Sequence, residues 1–305
     1  MTQDVPNGSS SKVAPRETSL APPRRAGSDS APVNQQDAPD ATARISVIIP
    51  SYNSGAFLRQ ALLSALEQVP PPYEVLVQDG GSTDDTLDML QSLGDRVAWV
   101  SAPDDGQSDA LNRALARATG EVVLWLNADD VLLPGSIEAA SAAFASDPDL
   151  SFAYGDFDMI DGMGAVMRRY RSSEYSWKRV YARGCYIFSG SLFVRRQSLV
   201  AIGGYDPTLR ACMDFDLLLR LGAAGRSRHL PQTIGQLRMH ESNKSSTMLT
   251  TFLREGFRVR RRYAGRSPRL WLNAARAASL SALMLAMTPA RLSSRWPRHG
   301  RGKTL

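Results

Sequence analysis

The chain has 305 residues, 43% hydrophobic and 22% charged, with 36 Lys and Arg against 30 Asp and Glu for a net charge of +6. These proportions match a soluble globular protein and exclude a wholly disordered chain, a collagen-like repeat and a disulfide-stapled miniprotein; the length allows one large domain or two small ones. Cys185 and Cys212 give neither a metal-ligand spacing nor a disulfide framework, which fits reduced thiols in a cytoplasmic protein.

Residues 1–43 hold six Pro, six Ser, two Gly and no aromatic residue. Such a segment buries too little apolar surface to offset its ordering entropy, so a disordered leader is expected, and no basic region followed by an apolar stretch suggests a secretory signal. From Ile45 the β-branched run Ile-Ser-Val-Ile-Ile reads as a buried strand, followed by Phe57, Leu58, Ala61, Leu62, Ala65 and Leu66 at helical spacing behind a cap at Asn53 or Ser54. The alternation repeats with strand 74–78, helix 86–93, strand 97–101, helix 107–118, strand 121–126 and a helix after Pro134-Gly135. This is the signature of βαβ units in a mostly parallel sheet with helices on both faces, whose ligands bind at the C-terminal strand ends. Beyond residue 150 the pattern loosens into strand-like 151–154 and 187–194, a helix from about Asp214 to Ala224, and an extended stretch 228–240.

Three acidic features fall where strands end or the late helix begins. Asp79 closes the second strand, Asn127-Ala128-Asp129-Asp130 closes the fourth, and Asp214 and Asp216 open the late helix. Asp beside Gly and Ser also suits turns and caps. Carboxylates gathered on one sheet edge repel one another unless a cation joins them, however, and hard oxygen ligands of this kind suit Mg2+ or Mn2+.

Six stretches in order carry a resemblance: Ser46–Asn53, Asp79–Asp84, Gly106–Asn112, Gly120–Asp130, Met213–Leu217 and Arg238–His240. Together they resemble family 2 of the nucleotide-sugar glycosyltransferases over residues 44–245, which implies the GT-A fold, an α/β architecture with a Rossmann-like, mostly parallel central sheet. By that resemblance Pro50, Tyr52 and Asn53 line the nucleoside pocket and Asp79 accepts a hydrogen bond from the base. Gln107 and Asn127 contact the donor, and Asp129, Asp130 and His240 hold the Mg2+ or Mn2+ that bridges the diphosphate. Asp214 is the general base of an inverting hexosyl transfer to an acceptor hydroxyl, with Asp216 as the alternative. The first acid of the metal motif is Asn127 in this chain, which keeps an oxygen but removes a charge. Gln107-Ser108-Asp109 also suits a helix cap, and His240 also suits a satisfied surface residue.

The charge is uneven. Residues 254–305 carry twelve Arg and Lys303 against Glu255 alone, a surplus of twelve, which leaves the rest of the chain at a net −6. Residues 246–305 are expected to form a basic amphipathic helical tail. Leu280, Leu283, Met284 and Met287 lie at helical spacing in an uncharged run too short to span a bilayer. That stripe suits either an anionic membrane surface or the protein's own body. No base-stacking aromatics are interleaved with the Arg cluster, so no nucleic-acid partner is expected.

The sequence therefore points to a metal-dependent inverting glycosyltransferase. Its donor is a nucleotide-sugar, a UDP-sugar first, and its acceptor a surface polysaccharide or lipid-linked glycan at the cytoplasmic membrane face. Two rivals are a non-catalytic nucleotide-binding regulator and a basic adaptor acting through its tail.

Overall fold

The computed structural model describes residues 42–240, Asn243, 248–264 and Leu272. Residues 1–41 of the expected leader and the stripe Leu280–Met287 lie outside them.

Strand β1 (Ile45–Ser51) is buried along its whole length, and its side chains alternate between two cores. Ile45, Val47 and Ile49 face one core; Ile48 faces the other. β2 (Glu74–Asp79), β3 (Ala98–Ser101) and β4 (Val122–Trp125) join it in the parallel order β3-β2-β1-β4. A strand buried on both faces needs a continuous apolar run, which is why these elements are legible as such. Helices α1 (Gly55–Leu66), α2 (Thr86–Ser92) and α4 (Ser136–Ala145) cover the first core through Leu58, Leu90 and Phe144. Helix α3 (Gln107–Arg117) covers the second through Leu111 and Ala114. β5 (Val131–Leu132) is a two-residue strand at the opposite end of the sheet.

The second half of the sheet is mixed. β6 (Leu150–Ile160), β7 (Val166–Tyr170), β8 (Leu192–Arg195) and β9 (Arg226–Arg238) complete the order β4-β8-β6-β9-β5, with β7 paired to β6. β8 runs antiparallel to β4 and β6, whereas β6 and β9 are parallel. β6 runs well past the 151–154 expected, through Asp156 and Asp158. Both carboxylates are buried, and Asp156 finds His229 Nε2 at 3.0 Å and the Ser172 N–H at 2.8 Å, partners that local sequence cannot reveal. Residues 189–191 form a single 3-10 turn, so β8 begins only at Leu192.

Helices α5 (Trp177–Arg183), α6 (Arg196–Ala201) and α7 (Met213–Ala224) pack on the second core. Helix α8 (Leu249–Ala264) joins them, and it belongs to the body. Val259 and Ala264 are buried, and the Arg260 Nε donates to the Tyr181 carbonyl at 2.8 Å. Arg262 Nη1 pairs with Asp206 at 2.6 Å. Half of the Arg258–Arg262 cluster is therefore committed internally, while Arg254, Arg258 and Arg261 are exposed. No described helix is long and apolar enough to cross a membrane.

Candidate active site

The ends of β1 and β2 lie side by side, with Ser51 opposite Asp79. Beyond β1 the chain turns through Asn53 at φ 47°, a left-handed conformation that Asn tolerates because its short side chain bonds locally. Its N–H donates to Ser82 Oγ at 2.7 Å, and its Oδ1 accepts the Thr83 N–H at 2.8 Å. Asp79 completes this corner from beneath. It is fully buried, and its Oδ2 accepts the N–H groups of Gly81 (3.0 Å) and Ser82 (2.9 Å) and the Ser101 hydroxyl (2.7 Å). The Ser82 hydroxyl donates to Oδ1 at 2.5 Å. The sequence expects Asp79 to accept a hydrogen bond from the nucleobase; in the structure its donors come from its own loop and from β3, and they fix that loop's shape. Pro50 is buried at the same corner, and the Tyr52 ring stands out from it, 64% exposed.

The turn after β4 brings a second set together. Asn127 Oδ1 accepts from Gln107 Nε2 at the start of α3 and from Trp125 Nε1, both at 2.8 Å, and its Nδ2 donates to Asp130 Oδ2 at 2.7 Å. Asp130 points inward, 1% exposed, and accepts the Arg238 N–H at 2.9 Å. Desolvation, reinforced by the neighbouring Asp129 charge, pushes its carboxyl well above the ordinary range and favours the protonated form. The sequence expects Asp130 to join Asp129 at the metal; in the structure its carboxyl is turned inward and hydrogen-bonded to Asn127 and Arg238. Asp129 faces the other way. Its Oδ2 meets His240 Nε2 at 2.9 Å and Asn243 Nδ2 at 3.2 Å, more than a hundred residues along the chain. Arg238 backs this pair, donating from Nε to the Asp129 carbonyl at 2.8 Å and from Nη2 to Gln60 Oε1 at 2.7 Å. Phe57 packs against the His240 ring, centroids 4.8 Å apart.

One carboxylate and one imidazole meeting at a point fit a Mg2+ or Mn2+ site of the kind completed by substrate phosphates and water. Among the described residues no three acidic, His or Cys side chains gather into a self-sufficient cage.

The third set lies at the start of α7. Glu255, on α8 and 1% exposed, accepts the backbone N–H groups of Arg210 (2.9 Å), Ala211 (2.9 Å) and Cys212 (3.1 Å) just before the helix begins. The first turn then carries both candidate bases in different states. Asp216 is buried and ion-paired, with Arg220 Nε at 2.7 Å and Arg262 Nη1 at 3.0 Å. Asp214 has no ion pair with a cation among the described residues; its Oδ1 accepts the Phe215 N–H at 2.7 Å, and the nearby Cys185 thiol donates to the Ile187 carbonyl at 2.9 Å. Burial raises its pKa.

The glycosyl transferase family 2 model matches residues 46–203, more than half of the chain. The chain belongs to glycosyl transferase family 2. A PGL/p-HBAD biosynthesis glycosyltransferase of Mycobacterium tuberculosis is 33% identical over 190 residues, covering 59% of this chain and 70% of that protein. The chondroitin synthase of Pasteurella multocida is 27% identical over 219 residues, 70% of this chain but 22% of that protein, so the chain spans about a fifth of the longer synthases it matches. Among solved structures, S. aureus TarS 1-349 aligns with TM-score 0.56 at 18% identity, covering 82% of this chain and 74% of that one. The mannosyltransferase PcManGT from Pyrobaculum calidifontis, solved with GDP-Man and Mn2+, aligns with TM-score 0.55 at 20% identity, covering 86% and 79%. The sheet and its flanking helices are those of the GT-A fold.

Several residues that build this candidate site carry no role in what the sequence alone suggests. Arg238 sits two residues before His240, the spacing that puts both on one face of a strand. Glu255 is the lone acid in a basic run, which is itself a signal. Gln60, Asn243 and Cys185 give none.

Proposed function

We propose that this chain is an inverting glycosyltransferase that moves a sugar from a nucleotide-sugar, a UDP-sugar first, to a hydroxyl of a glycolipid or surface polysaccharide. The observation that carries this reading is the placement of Asp214: at the start of α7, where burial raises its pKa and no described residue forms an ion pair with it, while Asp216 two residues on is tied to two arginines. A general base needs an available carboxylate whose pKa has moved toward the working pH, and Asp214 meets both conditions. Its partner elements support the rest.

Tyr52 and the Asn53–Ser82 corner receive the nucleoside, with Asp79 acting through the loop it shapes. Gln107 and Asn127, already bonded to each other, face the donor. Asp129 and His240 would hold Mg2+ or Mn2+, which when bound supplies positive charge to the diphosphate as it leaves. On the acceptor side Asp214 takes the hydroxyl proton as the oxygen bonds to the anomeric carbon. The carbon–oxygen bond to the diphosphate breaks on the opposite face, and the nucleoside diphosphate departs with the electron pair. One displacement needs one base and no protein nucleophile, which is why the configuration inverts. UDP and UDP-GlcNAc complexes of TarS and the GDP-Man complex of PcManGT support a nucleotide-sugar donor.

Calorimetry of UDP and of GDP with the full chain, in Mn2+ and in EDTA, tests this reading. The expected result is binding of at least one nucleotide that weakens strongly in EDTA. Equal affinity in both would remove the metal from the mechanism, and binding of neither would remove the donor site.

A further inference from the structure

Helices α5 and α7 pack in opposite directions: Trp177 Nε1 at the start of α5 donates to the Leu219 carbonyl late in α7, at 3.1 Å, which brings Cys185, just beyond α5, near enough to Asp214 at the start of α7 for each to shift the other's ionisation. The end of α5 thus lies beside the proposed base. A cavity of about 230 Å³ opens there, and Cys185 forms part of its wall. Among the described residues no carboxylate lines it. The rest of the wall includes three arginines, Arg171, Arg179 and Arg183, with Tyr170 and Tyr186.

The three cations differ in what already neutralises them. Arg171 reaches Asp156 at 3.5 Å and Asp158 at 4.0 Å, so its charge is answered within the fold. Arg179 lies over the Tyr186 ring, 4.4 Å from its centroid, and its Nη2 donates to the Ser173 hydroxyl and, at 2.7 Å, to the Glu174 carbonyl. These are neutral partners, and its buried Nε has none among the described residues. Arg183, exposed at the last turn of α5, has no carboxylate within ion-pair reach among the described residues. Two guanidinium groups without a carboxylate partner among the described residues therefore share one cavity wall with Cys185, whose thiol lies near Asp214. A site built so recognises an oxyanion, and the guanidinium fork matches phosphate geometry.

We infer that this cavity is the acceptor's anion subsite: Arg179 and Arg183 take a phosphate group that the acceptor carries close to the hydroxyl it presents to Asp214. The inference rests on the proposed role of Asp214 and adds a substrate class to it, an acceptor that is a phosphate ester. The phosphate comes either from a soluble ester or from a headgroup displayed by a bilayer; the subsite's chemistry is the same.

The test uses the full chain saturated with UDP. Glycerol 3-phosphate is titrated by calorimetry, with glycerol as the neutral control, into the wild type, Arg183→Gln and Arg179→Gln. Glycerol 3-phosphate should bind and glycerol should not, and each variant should weaken binding about tenfold, the scale of one charge-assisted hydrogen bond. UDP affinity should stay unchanged. Arg183 is exposed and forms no ion pair among the described residues, so Arg183→Gln answers even where Arg179→Gln destabilises α5. Phosphatidic-acid vesicles against phosphatidylcholine vesicles separate the sources. Retention on the former that Arg183→Gln reduces supports a bilayer-borne phosphate, and glycerol 3-phosphate binding without retention supports a soluble ester. Unchanged glycerol 3-phosphate affinity in both variants, or equal binding of glycerol, overturns the inference. A failure of UDP itself to bind would instead count against the donor reading and leave the phosphate titration to decide the cavity.

Discussion

Replacing Glu255 by Ala removes the acceptor of three backbone N–H groups at the start of α7. The bonds to Ala211 and Cys212 are buried, and that to Arg210 is partly so. An orphaned buried donor costs about 1–3 kcal/mol, so two give about 2–6 kcal/mol. That is a large part of the roughly 5–15 kcal/mol that holds a domain together. In a chain this size each kcal/mol shifts Tm by about 2–4 °C, so a loss near 3 kcal/mol lowers Tm by about 6–12 °C. Glu255→Gln keeps one oxygen and should lose about half as much. Urea unfolding of the wild type and both variants measures this, with equal slopes required before midpoints are compared. Because Asp214 lies in the turn that Glu255 anchors, turnover measured at a temperature where Glu255→Ala stays folded should also fall, by about tenfold or more if the turn moves by a fraction of an ångström. A Glu255→Ala protein within about 0.5 kcal/mol of wild type, the range of an ordinary surface substitution, would refute the claim that α8 holds the base in place.

Four further outcomes are expected. The rate of transfer should rise with pH through a limb above the ordinary Asp value, because burial raises the Asp214 pKa and only the ionised form accepts a proton; Asp214 faces the Cys185 thiol and the Phe215 N–H, neither of which lowers it back fully. The same shift favours the fold below the unfolded carboxyl's pKa and is lost as pH rises through the raised folded value, so Asp214→Asn should gain stability relative to wild type on going from acid to neutral pH, as read by Tm. A chain beginning at Thr42 should keep the Tm and activity of the full chain, whereas one ending at residue 245, lacking α8, should fail to unfold cooperatively. The full chain should sediment with anionic liposomes at low salt and lose them at high salt, and a chain ending at Ala264 should bind less, since Arg254, Arg258 and Arg261 are exposed cations of α8 with no ion pair among the described residues, and further cations follow it in sequence.

What the sequence makes legible is what local chemistry determines. Runs such as Val47–Ile49 and Val122–Trp125 are apolar on both faces and can only be central strands, and the Ser- and Asp-rich turns before α2 mark a helix start. β6 is legible only to Tyr154 because the polar residues Asp156 and Asp158 look like loop; their partners His229 and Arg171 come from distant segments. β7 hides for a related reason, since an edge strand with Arg168 and Arg169 exposed has no apolar alternation. Helix α8 reads as a basic tail because Glu255 and Arg260 occupy its inward stripe beside Val259 and Ala264. At the site, the motif positions of Asp129, His240 and Asp214 were legible, and the structure brings the first two into contact. The inward turn of Asp130 and the saturation of Asp79 were not, because hydrogen-bond partners decide which way a carboxylate faces, and sequence does not give those.

The central claim is that Asp214 is the base, and it can be isolated from donor binding. A panel of UDP- and GDP-sugars is incubated with wild type, Asp214→Asn and Asp216→Asn in Mn2+, release of nucleoside diphosphate is followed, and nucleotide affinity is measured in parallel by calorimetry. With the donor that wild type uses, Asp214→Asn should keep its nucleotide affinity and lose turnover by about a hundredfold or more, as expected for a missing general base. Asp216→Asn should lower Tm and keep its turnover while folded. Wild-type turnover by Asp214→Asn, with the loss falling on a folded Asp216→Asn instead, would contradict the account.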